Sequence, residues 1–299
     1  MKLKCMLLLL ASVVLAGQAG AAPAKRGGFS YPPQMEGARV ETYKTIGDVQ
    51  MKLWIFSPAA PTNAPAIVFF FGGGWKSGSP QQFEVQCRHL AARGMVAICA
   101  DYRVSSRQHV KPVKCLADAR SALRWVRAHA AQLGVDPNRI AAGGGSAGGH
   151  LAAATAFISQ FDEPADDKKI SATPNALVLF NPALVLAALD GQSNSGFEAR
   201  VPEERLGTKG ANLSPFHHIA SNAPPAIIFH GRADTTVPFS TAEAFAKKMK
   251  ELGNRCELVG AEGQPHGFFN RDPWQAKTLN DADKFLVSLG WLSPQTAKN

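Results

Sequence analysis

Cysteine and tyrosine are scarce in this 299-residue sequence, with five and three copies. No C-x-x-C pair or Cys/His spacing of the zinc type occurs, which excludes a metal-knit or disulfide-dense small domain. Arginine-rich helices, lysine runs and internal repeats are also missing, so nucleic-acid binding and solenoid architectures are not indicated. Charged residues make up 18% and the formal charge is +9, a modest surplus that reads as a soluble basic surface. The apolar run from Met6 to Ala16 is too short to cross a bilayer.

That run has a different meaning in context. Met1-Lys2-Leu3-Lys4 precedes it and Ala19-Gly20-Ala21 follows it, the order of a secretory signal peptide cleaved near Ala21/Ala22. The expected organisation is a signal peptide at 1–21, a linker at 22–37 and one domain at 38–299. The mature form is expected to be secreted or periplasmic and free of the membrane. No cysteine follows the apolar run at the cleavage point, which argues against a lipid anchor. Cys5 leaves with the leader, and Cys87, Cys99, Cys115 and Cys256 remain. Cys99 and Cys256 fall in predicted strands and read as small core residues. The sequence assigns no disulfide.

Within the domain, strand-like and helix-like segments alternate, as in a mostly parallel α/β sheet. Two strands are expected over 38–56. Further strands are expected at Ala66–Phe71, Met95–Ala100, Ala176–Phe180, Ala226–Phe229 and Cys256–Val259. Helices are expected at Ser79–Arg93, Val113–Leu133, Thr241–Leu252 and Ala276–Leu289. Residues 182–222 break this rhythm. They are long, polar and rich in glycine and serine, and read as a cap-like excursion holding Phe197, Leu206, Phe216 and the pair His217-His218. Adjacent histidines point in different directions and no carboxylate lies at ligand spacing, so no metal site is expected there.

Glycine is abundant, with 27 copies, and its placement carries the chemistry. Gly144-Gly145-Ser146-Ala147-Gly148 lies between the strand-like Arg139-Ile140-Ala141-Ala142 and the small-residue helical run His150–Ala156. This is a G-x-S-x-G nucleophile elbow in strand–turn–helix context. Gly144 and Gly148 allow close approach of strand and helix, and the helix N-terminus behind the serine favours negative charge. Gly143, Gly145 and Gly148 also satisfy G-x-G-x-x-G. A dinucleotide site, however, wants an acidic residue at a strand end roughly 20 residues on. Here Asp162, Glu163, Asp166 and Asp167 lie in a polar loop instead.

A serine nucleophile needs a base and the base an orienting carboxylate. Asp234 follows an apolar strand and a glycine turn, and His266 sits in a loop after the last strand, between Pro265 and Gly267. The chain order Ser146, Asp234, His266 is the one that open parallel sheets of this type use. His230 and Glu262 are the rival base and acid. Asp101 reads as a loop anchor or ion-pair partner, and His150 as a packing residue. Gly72-Gly73-Gly74-Trp75, at the end of a buried strand, leaves backbone N–H groups unobstructed. Gly73 or Gly74, with Ala147, is expected to form an oxyanion hole. Trp75 and Phe71 beside it are expected to bind substrate in a compact acyl pocket, with a more open alcohol side.

These segments, together with Asp101-Tyr102-Arg103, Asp136–Ile140 and Pro265-His266-Gly267-Phe268, resemble the esterase/lipase branch of the α/β-hydrolase superfamily. The resemblance runs from about Val40 to Leu292. It implies the α/β-hydrolase fold: a mostly parallel eight-stranded sheet with helices on both faces and a small cap. It also implies hydrolysis of short acyl esters through an acyl-serine, without metal or organic cofactor. In such enzymes histidine usually precedes the three glycines. Phe71 stands there in this sequence, so support of the loop must come from elsewhere. Export points to acetyl or feruloyl esters of polysaccharides or oligosaccharides as substrates. Amidase, formamidase or peptidase activity of the same superfamily, or a non-catalytic binding role, are the alternatives. The oligomeric state is not readable.

Overall fold

Continuous apolar runs become strands buried on both faces, and the architecture follows from their number. The computed structural model describes residues 29–189 and 201–295. The expected leader, the first part of the linker and Phe197 lie outside the described residues. Eight strands form one sheet in the order β1-β2-β4-β3-β5-β6-β7-β8. β1 (Arg39–Ile46) and β2 (Val49–Phe56) are antiparallel to their neighbours. β3 (Ala64–Phe70), β4 (Val96–Ala100), β5 (Val135–Gly145), β6 (Ala176–Phe180), β7 (Ala226–Gly231) and β8 (Cys256–Ala261) run parallel.

Alternate residues of each central strand feed two separate cores. On β3, Ala66, Val68 and Phe70 face one side, where they meet α2 (Pro112–Ala128), α3 (Ala147–Phe157) and α4 (Phe239–Glu251). Ile67 and Phe69 face the other, against α1 (Glu84–Ala92) and α5 (Trp274–Ser288). The sheet with helices on both faces is the expected α/β-hydrolase arrangement.

Two helices differ from expectation at their ends. The first begins as a 3-10 turn, Pro80–Phe83, because the Ser79 side chain accepts the Gln81 N–H and Pro80 lacks one. The second stops at Ala128. His129 leaves helical geometry, its Nδ1 donates to the Trp125 carbonyl at 2.8 Å, and its ring stacks on that indole at 4.0 Å. A short turn, Ala130–Leu133, then closes on Gly134.

The acidic loop residues that a dinucleotide site would have required are engaged elsewhere. Asp162 pairs with Arg120 and Arg124, and Glu163 with Lys44 and Arg103. These pairs pin the loop after α3 to α2, to β1 and to the segment after β4. Asp101 accepts from Tyr31 Oη and from its neighbour's N–H at Tyr102, so it anchors the chain entering the fold. All four described cysteines are free and buried.

Because parallel strands share a direction, the carboxyl ends of β5, β6, β7 and β8 lie side by side. At the first of them the backbone is tightly constrained. A Cβ on Gly148 would sit 2.0 Å from the Phe70 carbonyl oxygen. Gly148→Ala is therefore expected to lower unfolding stability by about 1–3 kcal/mol, as overpacking against backbone does. Urea denaturation with an unchanged slope measures this, and an unchanged midpoint would contradict the close approach.

Candidate active site

β5 ends at Gly145 and α3 begins at Ala147, so Ser146 alone makes the turn. Its backbone sits at φ 53°, ψ −117°, a strained conformation for a residue with a side chain. The surroundings hold it there: Ser146 N–H donates to the Phe180 carbonyl at 2.9 Å, and Gly144 and Gly148 leave no room for the turn to relax. The hydroxyl is thereby lifted clear of the sheet.

His266 arrives from the loop after β8 and Asp234 from the turn after β7. His266 Nε2 lies 2.9 Å from Ser146 Oγ, and His266 Nδ1 lies 2.7 Å from Asp234 Oδ2. With Nδ1–H donating to the carboxylate, Nε2 is left as the acceptor for the serine proton. The other carboxylate oxygen of Asp234 accepts the N–H groups of Thr236 and Val237 at 2.8 and 2.9 Å. Burial pushes the Asp234 carboxyl upward, but hydrogen bonds from His230 and His266 outweigh it. The group is held well below the ordinary carboxylate range.

The rivals have other work. His230 is buried and its Nε2 donates to the Val237 carbonyl at 2.9 Å, with Asp234 Oδ2 at 3.3 Å. It approaches the same carboxylate oxygen that accepts from His266. Glu262 has a side chain 90% exposed and pairs with Arg232. His217 bonds Ser214 Oγ and the Ala188 carbonyl, and His218 bonds the Ala211 carbonyl. These contacts tie the excursion to itself.

Of the three loop glycines, Gly72 spends its N–H on Gln82 Oε1 at 2.6 Å. The following turn, with φ 123° at Gly73 and 62° at Gly74, directs the chain past Ser146. Ala147, the first residue of α3, has an N–H without an intrahelical acceptor. Gly74 and Ala147 line one cavity with Ser146, and Gly73 and Gly74 line a second cavity that Ser146 also borders.

Two cavities meet at Ser146. One of about 230 Å³ is lined by Gly74, Trp75, Ala147, Ala183, Val201, Arg205 and the 235–237 segment. Its outer wall comes from the described part of the excursion, where Val201 and the turn Glu203–Leu206 pack over the strand ends and Arg205 Nη2 donates to the Gly74 carbonyl at 2.9 Å. The other, of about 320 Å³, is lined by Gly73, Gln82, Asn181, His266, Phe269 and Asn270, among others.

Phe71 requires a correction. It was expected to touch substrate, but it is fully buried and stacked on Tyr102 at 4.1 Å, and it lines neither cavity. Tyr102 Oη donates to its carbonyl at 2.7 Å, which leaves the ring facing the core. Trp75 does line the smaller cavity, in a left-handed conformation at φ 57°. The sequence reading also passed over Asn181, Gln82 and Asn270. Asn181 ends β6 at positive φ and its Oδ1 accepts the Gly267 N–H at 2.9 Å. A strand ending in Asn-Pro was the available signal.

Beneath the elbow, His150 on α3 packs edge-on against Trp75 and its Nε2 donates to the Leu213 carbonyl at 2.7 Å. Burial pushes this imidazole from 6.5 down to about 4. The native state therefore resists a proton that the unfolded chain takes up. Stability from His150 is complete above pH 6.5 and falls as pH drops toward 4, by about 3 kcal/mol in all. Denaturation midpoints across that window should slope accordingly, and His150→Gln should flatten the slope. For the carboxylate, Asp234→Asn should cut kcat by about 10⁴-fold on any substrate, since the wrong imidazole tautomer is then favoured. A loss of less than about tenfold would contradict its orienting role.

With this geometry in place, the similarities to known proteins have a physical reading. Residues 53–249 match the BD-FAE family model. The thermophilic esterase Est2 of Thermogutta terrifontis is 54% identical, with a TM-score of 0.85 over 89% of this chain and 98% of that one. Its propionate-bound structure is 53% identical with a TM-score of 0.84, covering 90% of this chain and all of that one. Among curated relatives, the probable carboxylic ester hydrolase LipM of Mycobacterium tuberculosis is 30% identical over 64% of this chain and 46% of its own length. The probable isoprenylcysteine alpha-carbonyl methylesterase ICMEL1 of Arabidopsis thaliana is 27% identical over 74% of this chain and 50% of its own. This chain spans about half the length of those curated relatives. The family match and the eight-stranded fold agree: the chain belongs to the BD-FAE family of α/β-hydrolase esterases.

Proposed function

We propose that the protein is a serine carboxylesterase that hydrolyses short acyl esters through an acyl-serine. The observation that carries this is the continuous bond chain Ser146–His266–Asp234 opening on two cavities that meet at the serine hydroxyl. His266 Nε2 takes the hydroxyl proton as Oγ attacks the ester carbonyl. Asp234 keeps the imidazole in the working tautomer and stabilises the imidazolium. N–H groups of Ala147 and of Gly73 or Gly74 receive the oxyanion, each donor contributing about 3–4 kcal/mol to the transition state. His266 then protonates the leaving alcohol, and water cleaves the acyl-serine by the same route.

Proton delivery assigns the cavities. The alcohol must depart beside His266, so the larger cavity takes the alcohol and the smaller one the acyl group. Trp75, Ala183, Val201 and Val237 give the acyl side apolar walls and little depth. Est2 structures with propionate and with butyrate support a short-acyl reading. The leader-like N-terminus supports export, and an exported enzyme with an open alcohol side suits acetyl or other small acyl groups on polysaccharide or oligosaccharide chains. No step calls for a cofactor or metal.

Hydrolysis of p-nitrophenyl acetate, butyrate and octanoate, followed by an acetylated and a feruloylated oligosaccharide, tests the reading. Turnover should fall steeply from butyrate to octanoate and vanish in Ser146→Ala. Preference for octanoate would contradict the acyl assignment, and activity retained in the serine variant would overturn the mechanism.

A further inference from the structure

The oxyanion loop and the base loop are far apart in sequence, yet catalysis needs them in register. Four hydrogen bonds run between them without interruption. Gly72 N–H donates to Gln82 Oε1 at 2.6 Å, and Gln82 Nε2 donates to Asn270 Oδ1 at 3.1 Å. Asn270 Nδ2 then donates to the Gly267 carbonyl at 3.0 Å, and Gly267 N–H donates to Asn181 Oδ1 at 2.9 Å. Gly72 opens the oxyanion loop, Gly267 follows the base, and Asn181 sits on the strand end between Ser146 and Asp234.

We propose that Gln82 and Asn270 form an amide clasp that holds the oxyanion loop against the His266 loop, with Asn181 as its fixed anchor. The inference rests on the esterase reading and deepens it by naming positioning residues for that reaction.

The chemistry fits the task. An amide both donates and accepts, so each clasp residue relays the bond onward, which neither a carboxylate nor an ammonium can do. Gln82 is held by the 3-10 turn capped through Ser79, and Asn270 ends the short turn Phe268–Asn270 beneath the base. Phe269 of that turn packs on Phe83 and Phe180, so the clasp is seated on a core and not on mobile side chains. Asn181 is fully buried at positive φ, and its Nδ2 has no hydrogen-bond partner among the described residues. Strain and an orphaned donor at a cavity wall are costs borne where geometry matters. The clasp also accounts for Phe71: Gln82 carries the loop support that a preceding histidine would otherwise supply.

A clasp makes a quantitative statement, since cutting it in either place releases the same constraint. The test is a double-variant cycle on p-nitrophenyl butyrate with wild type, Gln82→Ala, Asn270→Ala and the pair. Wild type and Ser146→Ala are measured alongside. Each single variant should lower kcat by between about 10- and 100-fold, because misplacement of the reacting groups is amplified exponentially. KM should stay within about twofold, and the pair should be barely worse than the weaker single. Losses that multiply, or that fall only on KM, overturn the clasp. Should either alanine variant fail to fold, Gln82→Glu and Asn270→Asp replace them. Each keeps its acceptor oxygen and forfeits the onward donor, so unchanged kcat in both would overturn the clasp. A wild type without ester turnover would instead sink the functional reading itself, and the clasp with it.

Discussion

The hydrogen bond between His266 Nδ1 and the buried Asp234 carboxylate sets the terms for everything around the serine. A carboxylate removed from water is costly unless it is fully bonded. Thr236, Val237, His230 and His266 share that task, and Asp234 stays charged as a result. A charged Asp234 in turn fixes which imidazole nitrogen faces Ser146. The β7 strand end, the 234–237 turn and the buried His230 can be understood as the housing of one negative charge.

Sheet topology makes that housing possible. Ser146, Asn181, Asp234 and His266 come from four adjacent strand ends, β5 to β8, so no long loop has to reach across the fold. The strain at Ser146 is carried by Gly144 and Gly148, whose missing side chains let α3 press against β3 and β5. The described part of the excursion after β6 then walls the smaller cavity, and the turn at Phe268–Asn270 walls the larger one.

Much of this was legible in the sequence because the chemistry imposes rare patterns. The elbow needs glycines at two fixed offsets from a serine, and the Asp and His must follow strands in a set order. Continuous apolar runs announced the buried strands. Asn181 had a signal in the Asn-Pro that ends its strand, but Gln82 and Asn270 were not legible, because a polar amide on a loop has no periodicity and becomes informative only when its partner 188 residues away is known. Phe71 was misread for a related reason. Its position beside the glycines suggested substrate, but the direction of a ring at a strand end is decided by what it packs on, here Tyr102. Helix ends at Ser79 and His129 were likewise set by local side-chain bonds that propensity does not see.

The proposed hydrolysis begins with attack by Ser146 Oγ as an activated nucleophile. Reaction with paraoxon, followed by intact-mass measurement and peptide mapping, tests it most directly. One diethylphosphoryl group per chain is expected, on Ser146, with loss of all ester turnover as labelling completes. Labelling at another residue, or folded protein that stays unmodified, would contradict it.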